Sequence, residues 1–189
     1  MKPFEPKARP CKQCGQLFVP RTTLHNICSP KCAYKDLRKQ KAAEKAAAKA
    51  DLAETRKRKE KAMTRSERHA RAQAAVNAYV RARDADLPCI SCGRHHEGQW
   101  HAGHYRSRGA AKHLALDTRN IHKQCQPCNT HLHGNQINYR LGLIERYGLA
   151  YVEALECDNA RRDLTSDEID AIWREHKAKL KEMKKWDAQ

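Results

Sequence analysis

Cys89-Ile90-Ser91-Cys92-Gly93 and, with thirty-two residues between Cys92 and Cys125, Cys125-Gln126-Pro127-Cys128 decide how this chain folds. Two thiolates on one tight turn can reach a single ion, and two such pairs complete a tetrahedron. A second set has the same form: Cys11-Lys12-Gln13-Cys14 with Cys28-Ser29-Pro30-Lys31-Cys32. Eight of the nine cysteines are used in this way, and only Cys157 stands alone. In a reducing compartment such close pairs read as zinc ligands rather than disulfides. The expected cofactor is Zn2+ at two structural sites, each a closed four-thiolate set.

Composition narrows the class. With 189 residues the chain holds one domain, or one domain and an appendage. It carries 38 Lys+Arg against 22 Asp+Glu, a net charge of +16, which points to a polyanionic partner. Aromatic residues make up only 6%, too few for one large aromatic core. No stretch approaches the 18 or so consecutive apolar residues of a membrane span. Met1 to Lys7 lacks an apolar leader. The expected setting is a reducing cytoplasm, with no membrane partner.

The chain divides by character into three parts. Residues 1–34 read as a small four-cysteine zinc knuckle, too short to bury much core, so that metal would supply most of its folding energy. Residues 35–71 hold 14 basic and 6 acidic residues, no Gly and no Pro, and almost no large apolar residue. They read as one solvated helix of roughly 55 Å, a spacer or a phosphate-contacting arm. Residues 72–189 form the main module. Ala75, Val76, Tyr79 and Val80 mark an amphipathic helix that Pro88 ends. His95 to Gly98 reads as a hairpin tip, and residues 99–105 as a strand carrying histidines. A basic loop over 106–118 follows, and a helix begins near Cys125. Residues 136–186 are expected to be helical, with a stop at Gly148 and a capping box at Thr165-Ser166-Asp167-Glu168. Cys157 is expected in that helical core. The fold class is α+β, mostly α.

Between the two cysteine pairs of the main module lie His101, His104 and Asn120, and Asn129 directly follows Cys128. This is the layout of a zinc-stapled ββα-metal nuclease. There a hairpin presents a general-base histidine, and a helix presents a metal ligand opposite it. The chemistry needs such parts. A neutral imidazole can deprotonate water near pH 7. A divalent cation can stabilise charge on the phosphate and the leaving oxygen.

The stretches Ala102-Gly103-His104-Tyr105-Arg106, Asn120-Ile121-His122-Lys123-Gln124-Cys125 and Cys128-Asn129 resemble the HNH superfamily. More closely the chain resembles the NinG (Rap) recombination proteins of lambdoid phages, from about Gln73 to Lys185. The preceding knuckle and charged helix fit that family's layout. The resemblance implies a metal-dependent, structure-selective DNA endonuclease acting on D-loops and Holliday-type junctions in phage recombination. It makes His104 the general base, Asn120 the middle Asn of the motif and Asn129 a helix-borne ligand for Mg2+ or Mn2+. Cys89, Cys92, Cys125 and Cys128 become the structural zinc ligands. Many HNH enzymes carry Asp or His as a metal ligand directly before the base; here that residue is Gly103. His101, or His133 on the helix, is the candidate replacement.

Arg106, Arg108, Lys112 and Arg119 are the candidate phosphate contacts. Tyr105 is read either as a base-stacking residue or as core. His122 is expected to be structural, and His95, His96, His113 and His131 to lie on the surface. A competing reading is a non-catalytic zinc protein that binds nucleic acid, a mediator or regulator. A small-molecule zinc hydrolase would need an open zinc position, which two closed four-thiolate sets lack. Symmetric cutting of a junction would favour a homodimer.

Overall fold

Thr64-Arg65-Ser66-Glu67 divides what the composition reads as one long helix. In the computed structural model, which describes residues 7–186, α1 runs over Pro30–Ala62 and α2 over Arg65–Arg83. The reading of residues 1–6 as leader-free lies outside the described residues. At the break the Thr64 amide donates to Glu67 Oε2 at 2.7 Å, and the Glu67 amide to Thr64 Oγ1 at 3.3 Å. This is a capping box, the same device expected at Thr165 to Glu168. The helix boundary expected near residue 71 therefore falls at Met63-Thr64, because the cap satisfies amides that an uninterrupted helix would have used. No described helix is long and apolar enough to cross a membrane.

Two units result, Met1–Ala62 and Met63–Gln189. In the first, β1 (Arg9–Pro10) pairs antiparallel with β2 (Leu17–Phe18). The Arg9 guanidinium donates to the carbonyls of Thr22, Thr23 and His25 and so closes the loop that follows. Cys32 sits in the first turn of α1. The helix has no buried residue, as its apolar-poor composition requires.

The second unit is built around a two-stranded antiparallel hairpin. β3 (Trp100–His104) pairs with β4 (Ile121–Cys125) in the register His101↔Gln124, Gly103↔His122 and His104↔Ile121. One face packs on α2, where Ala102 and Ile121 join Ala72, Val76 and Val80. α5 (Ser166–Trp186) closes that layer with Ile169. Thr165 and Glu168 cap α5 as expected, with Thr165 N to Glu168 Oε2 at 2.8 Å. Arg68 and Arg71 of α2 both bind Asp170 of α5, which is 7% exposed and would be costly to bury unpaired.

The other layer holds α3 (Gln136–Tyr147) and α4 (Leu149–Cys157), where Tyr139, Leu143, Val152 and Leu155 pack with Ile90, Tyr105 and Leu114. Tyr139 is wholly buried. Its hydroxyl donates to Gly103 O at 2.9 Å and lies 3.2 Å from His122 Nδ1. Since that hydroxyl spends its proton on Gly103, His122 Nδ1–H is the donor.

Four local expectations are corrected. The helix expected from Cys125 is a wide π-helical turn over Pro127–His131, and regular helix resumes only at Gln136. Between them His133, Gly134 and Asn135 all have positive φ, so His133 lies in a left-handed turn and not on a helix. Residues 95–98 are no hairpin tip. They link the cysteine turn to β3, whose partner is β4. Cys157 is exposed, because α4 turns Val152 and Leu155 inward and Cys157 ends the helix off that face.

Gly142 of α3 lies against the Ile90 carbonyl, where a Cβ would overlap backbone. Alanine ordinarily favours a helix interior by about 1 kcal/mol over glycine. Here overpacking outweighs that, and Gly142→Ala should destabilise the fold by about 1–3 kcal/mol in a denaturant titration.

His122 gives a pH-dependent prediction. Burial, reinforced by Arg83, lowers its pKa to about 3, against about 6.5 in an unfolded chain. Between those values the unfolded chain binds the extra proton, so stability falls as pH drops through the window. His122→Gln should lose less stability than the parent between pH 7 and pH 5. Thiolate protonation is common to both proteins and cancels in the comparison.

Candidate active site

His104 is the last residue of β3, and its pairing with Ile121 points the side chain toward α2. Its Nε2 lies 3.0 Å from Ala115 O, an acceptor that has no proton to give. Nε2 therefore carries the ring proton, and Nδ1 is the basic nitrogen. Burial lowers the pKa of the ring and Arg108 adds to this, while the Ala115 carbonyl opposes it. The net direction keeps His104 neutral near pH 7, as a general base requires. Gln73 of α2 approaches Nε2 at 3.4 Å, and its own Oε1 is buried without a partner.

Asn120 is fully buried and braces the loop after His104. Its Oδ1 accepts from Arg106 N at 2.8 Å. Its Nδ2 donates to Arg106 O at 2.9 Å and Leu114 O at 3.2 Å. The backbone adds Tyr105 N to Asn120 O at 2.8 Å. The amide thus fixes both ends of the 106–118 loop to the strand that carries His104.

The opposite face of the hairpin holds the expected metal ligands. His101 Nδ1 meets Asn129 Nδ2 at 2.8 Å. Strand alternation places His101 with Gly103, and His104 with Ala102, so His101 and Asn129 come together while His104 faces away from them. His133 is exposed in its turn. The departure at Gly103 has a packing cause. The buried Gln124 side chain occupies the place where a Cβ at 103 would stand. Gln124 is held there by Ser91 Oγ at 2.7 Å and Gly134 O at 2.6 Å. No Asp or His fits before the base.

The donor set is thin for a hard cation. Mg2+ prefers oxygen, carboxylates above all. His101 and Asn129 offer one imidazole and one carboxamide, turned toward each other. Among the described residues, the only metal-competent groups of three or more His, Cys, Asp or Glu are the two cysteine sets. These residues do not fit a complete Mg2+ or Mn2+ site.

The cysteines do fit zinc. In each set, Cys11, Cys14, Cys28, Cys32 and Cys89, Cys92, Cys125, Cys128, the four Sγ atoms lie within 4.8 Å of one another. Backbone amides support the sulfurs: Cys28 N approaches Cys11 Sγ, and Cys125 N approaches Cys89 Sγ, both at 3.4 Å. Sequence reasoning places His96 on the surface with no role. Its Nε2 lies 3.2 Å from Cys92 Sγ, and its ring stands edge-on to Trp100. A hydrogen bond of this kind to a ligand sulfur orients it toward the metal.

The four expected phosphate contacts part company. Arg106 is consumed within the fold, donating to Leu155 O at 2.9 Å, to Asp158 O and to Asn159 Oδ1 at 2.9 Å. Arg119 pairs with Asp117 at 2.6 Å. Arg108 and Lys112 instead line a cavity of about 830 Å³ with Gln73 and Ala115, the two residues that touch His104. Tyr105 is core, with its hydroxyl bound to Glu156. His113 is half-buried against Asp158 rather than on the surface.

Comparison with known proteins bears out the NinG part of the resemblance. A family profile described as "NinG: Bacteriophage Lambda NinG protein" matches residues 3–187. Protein ninG of Escherichia phage lambda is 41% identical over 196 residues, 95% of each chain. Protein ninG of Salmonella phage P22 is 53% identical over 113 residues, 60% of this chain and 56% of that protein. Protein ninG of Escherichia phage 933W is 50% identical over a stretch of the same length and coverage. No solved structure matches. The chain belongs to the NinG family of phage proteins.

Proposed function

We propose that the chain is a metal-dependent, structure-selective HNH-type DNA endonuclease acting on branched recombination intermediates, D-loops and Holliday-type junctions, in the host cytoplasm. The observation that carries this reading is the tautomer of His104. A backbone carbonyl accepts a hydrogen bond from Nε2–H and leaves Nδ1 as a neutral base, on a ring whose neighbours Gln73 and Ala115 line a cationic cavity. In the reaction Nδ1 takes a proton from water, and the water oxygen forms the new bond to phosphorus. The bond to the leaving oxygen breaks, and that oxygen takes a proton from solvent water. Asn120 keeps the loop and strand in register so that His104 stays aimed. Symmetric resolution of a junction would take two copies of the chain.

One observation favours a second reading, a non-catalytic zinc protein that binds nucleic acid. His104 and Asn129 lie on opposite faces of the hairpin, so the expected base and metal ligand do not face a common point.

A cleavage assay separates the two. The zinc-loaded protein should cut a four-way junction with added Mg2+ or Mn2+ and not without. His104→Ala should bind the junction as the parent does but cut at least about 10²-fold more slowly. Equal cutting by the variant removes His104 as base. Binding without cutting by the parent in either cation leaves the second reading.

A further inference from the structure

The cavity beside His104 has a wall that the motifs do not name. Arg65, His69, Gln73 and Asn77 recur every four residues along α2 and form one row of about 18 Å. Residues 108–112 stand opposite, and Arg162 to Leu164 close one end. The floor is made of small residues, Ser66, Ala70, Ala74 and Gly109. Four cations, Arg65, Arg108, Lys112 and Arg162, line it with one carboxylate, Asp163, 3.7 Å from Arg65, and Arg162 is itself paired with Glu168 at 2.5 Å. Arg108 and Lys112 have no ion-pair partner among the described residues. The concentration of positive charge is felt locally. Burial first, then Arg65 and Arg108, lower the pKa of His69, which sits between them.

We propose that this groove seats a single, unpaired DNA strand by its phosphates, with Arg65 and His69 joining Arg108 and Lys112. The inference rests on the nuclease reading for the identity of the polyanion. Shape selects one strand over two. A duplex is a stiff convex rod that persists over about 150 bp. A concave cavity of about 830 Å³, enclosed by three chain segments, admits a strand that has left its partner. No Phe, Tyr or Trp lines the groove, so bases have no stacking platform. Binding is therefore phosphate-led, indifferent to sequence and sensitive to salt. Unpaired strands occur where branched DNA exchanges partners, which matches a groove lined by Gln73 and Ala115, the two neighbours of His104 Nε2.

The test reads binding, not cutting. A labelled single-stranded oligonucleotide and its duplex are titrated by fluorescence anisotropy at 0.15 M salt with no divalent cation added. The Ala70→Glu/Ala74→Glu double variant places two carboxylates on the exposed groove floor and leaves every polar side chain of the parent in place. Ala171→Glu/Ala178→Glu on the exposed side of α5 makes the same change of charge away from the groove. Expected results are about 10-fold weaker single-strand binding for the groove variant, and a salt slope lower by about 0.7 for each phosphate that the variant no longer engages. The α5 variant should stay within about 2-fold, since screening at this salt acts over about 8 Å. Gly109→Glu tests the same floor from the loop, where a side chain meets nothing within 4 Å. Zinc content and circular dichroism confirm folding of each variant. Unchanged binding in the groove variants, equal losses in groove and α5 variants, or equal sensitivity of duplex and single strand would overturn the proposal. Binding is read without cleavage and without a divalent cation, so a failed cleavage assay leaves this result untouched.

Discussion

Four sulfur atoms hold the second unit together. Cys125 ends β4, Cys128 opens the turn after it, and Cys89 and Cys92 lie on a separate turn that precedes the hairpin by several residues. Bringing them within 4.8 Å of one another ties three segments that share little apolar surface. The cysteine turn is then positioned for Ile90 N to bond Lys123 O at 3.1 Å, and for the Ile90 carbonyl to touch Gly142 of α3. Through those contacts the metal site reaches Tyr139, Gly103 and the strand that ends at His104. A hairpin of five-residue strands has little stability of its own, so it depends on this anchor and on the helices packed on its two faces.

Those two faces do different work. The α3 side is dense with hydrogen-bonded polar groups, His122 on Tyr139, Gln124 on Ser91 and Gly134, Asn129 on His101, and only the Gln124 Oε1 among these is buried without a partner. The α2 side is open near its end, where His104 meets Gln73 and the cationic cavity. Gly103 shows the consequence for chemistry. Gln124 fills the space that a side chain at 103 would need, and strand alternation sets His104 apart from His101 and Asn129.

Much of this is legible in the residues. Cysteine spacing has a geometric meaning that survives folding, so both sulfur sets can be read from four short stretches. The capping box at Thr165 is equally plain. Its twin at Thr64 is hidden because the surrounding Lys, Arg and Ala continue a helix on either side, and propensity masks the cap. Resemblance singles out Asn120, but its two-sided hydrogen bonding needs the fold. Which basic residues line the cavity is not readable. Arg106 and Arg108 differ by two positions, yet carbonyls at the end of α4 capture one and leave the other in the groove. His96 acts through the sulfur it faces and Gln124 through partners distant in sequence, which no local pattern reveals. The α2 row is present as a four-residue period of polar residues, and a charged helix hides such a row among its neighbours.

The hairpin and His104 depend on the sulfur set of the second unit, and each of the two cysteine sets fits zinc held by sulfur alone. Zinc K-edge X-ray absorption of the purified protein, with two zinc ions per chain, measures this directly. The expected coordination is four sulfurs at about 2.3 Å, with His96 outside the ligand sphere as a hydrogen-bond donor. Nitrogen among the zinc ligands, or cysteines found oxidised to disulfides with no zinc bound, would contradict it.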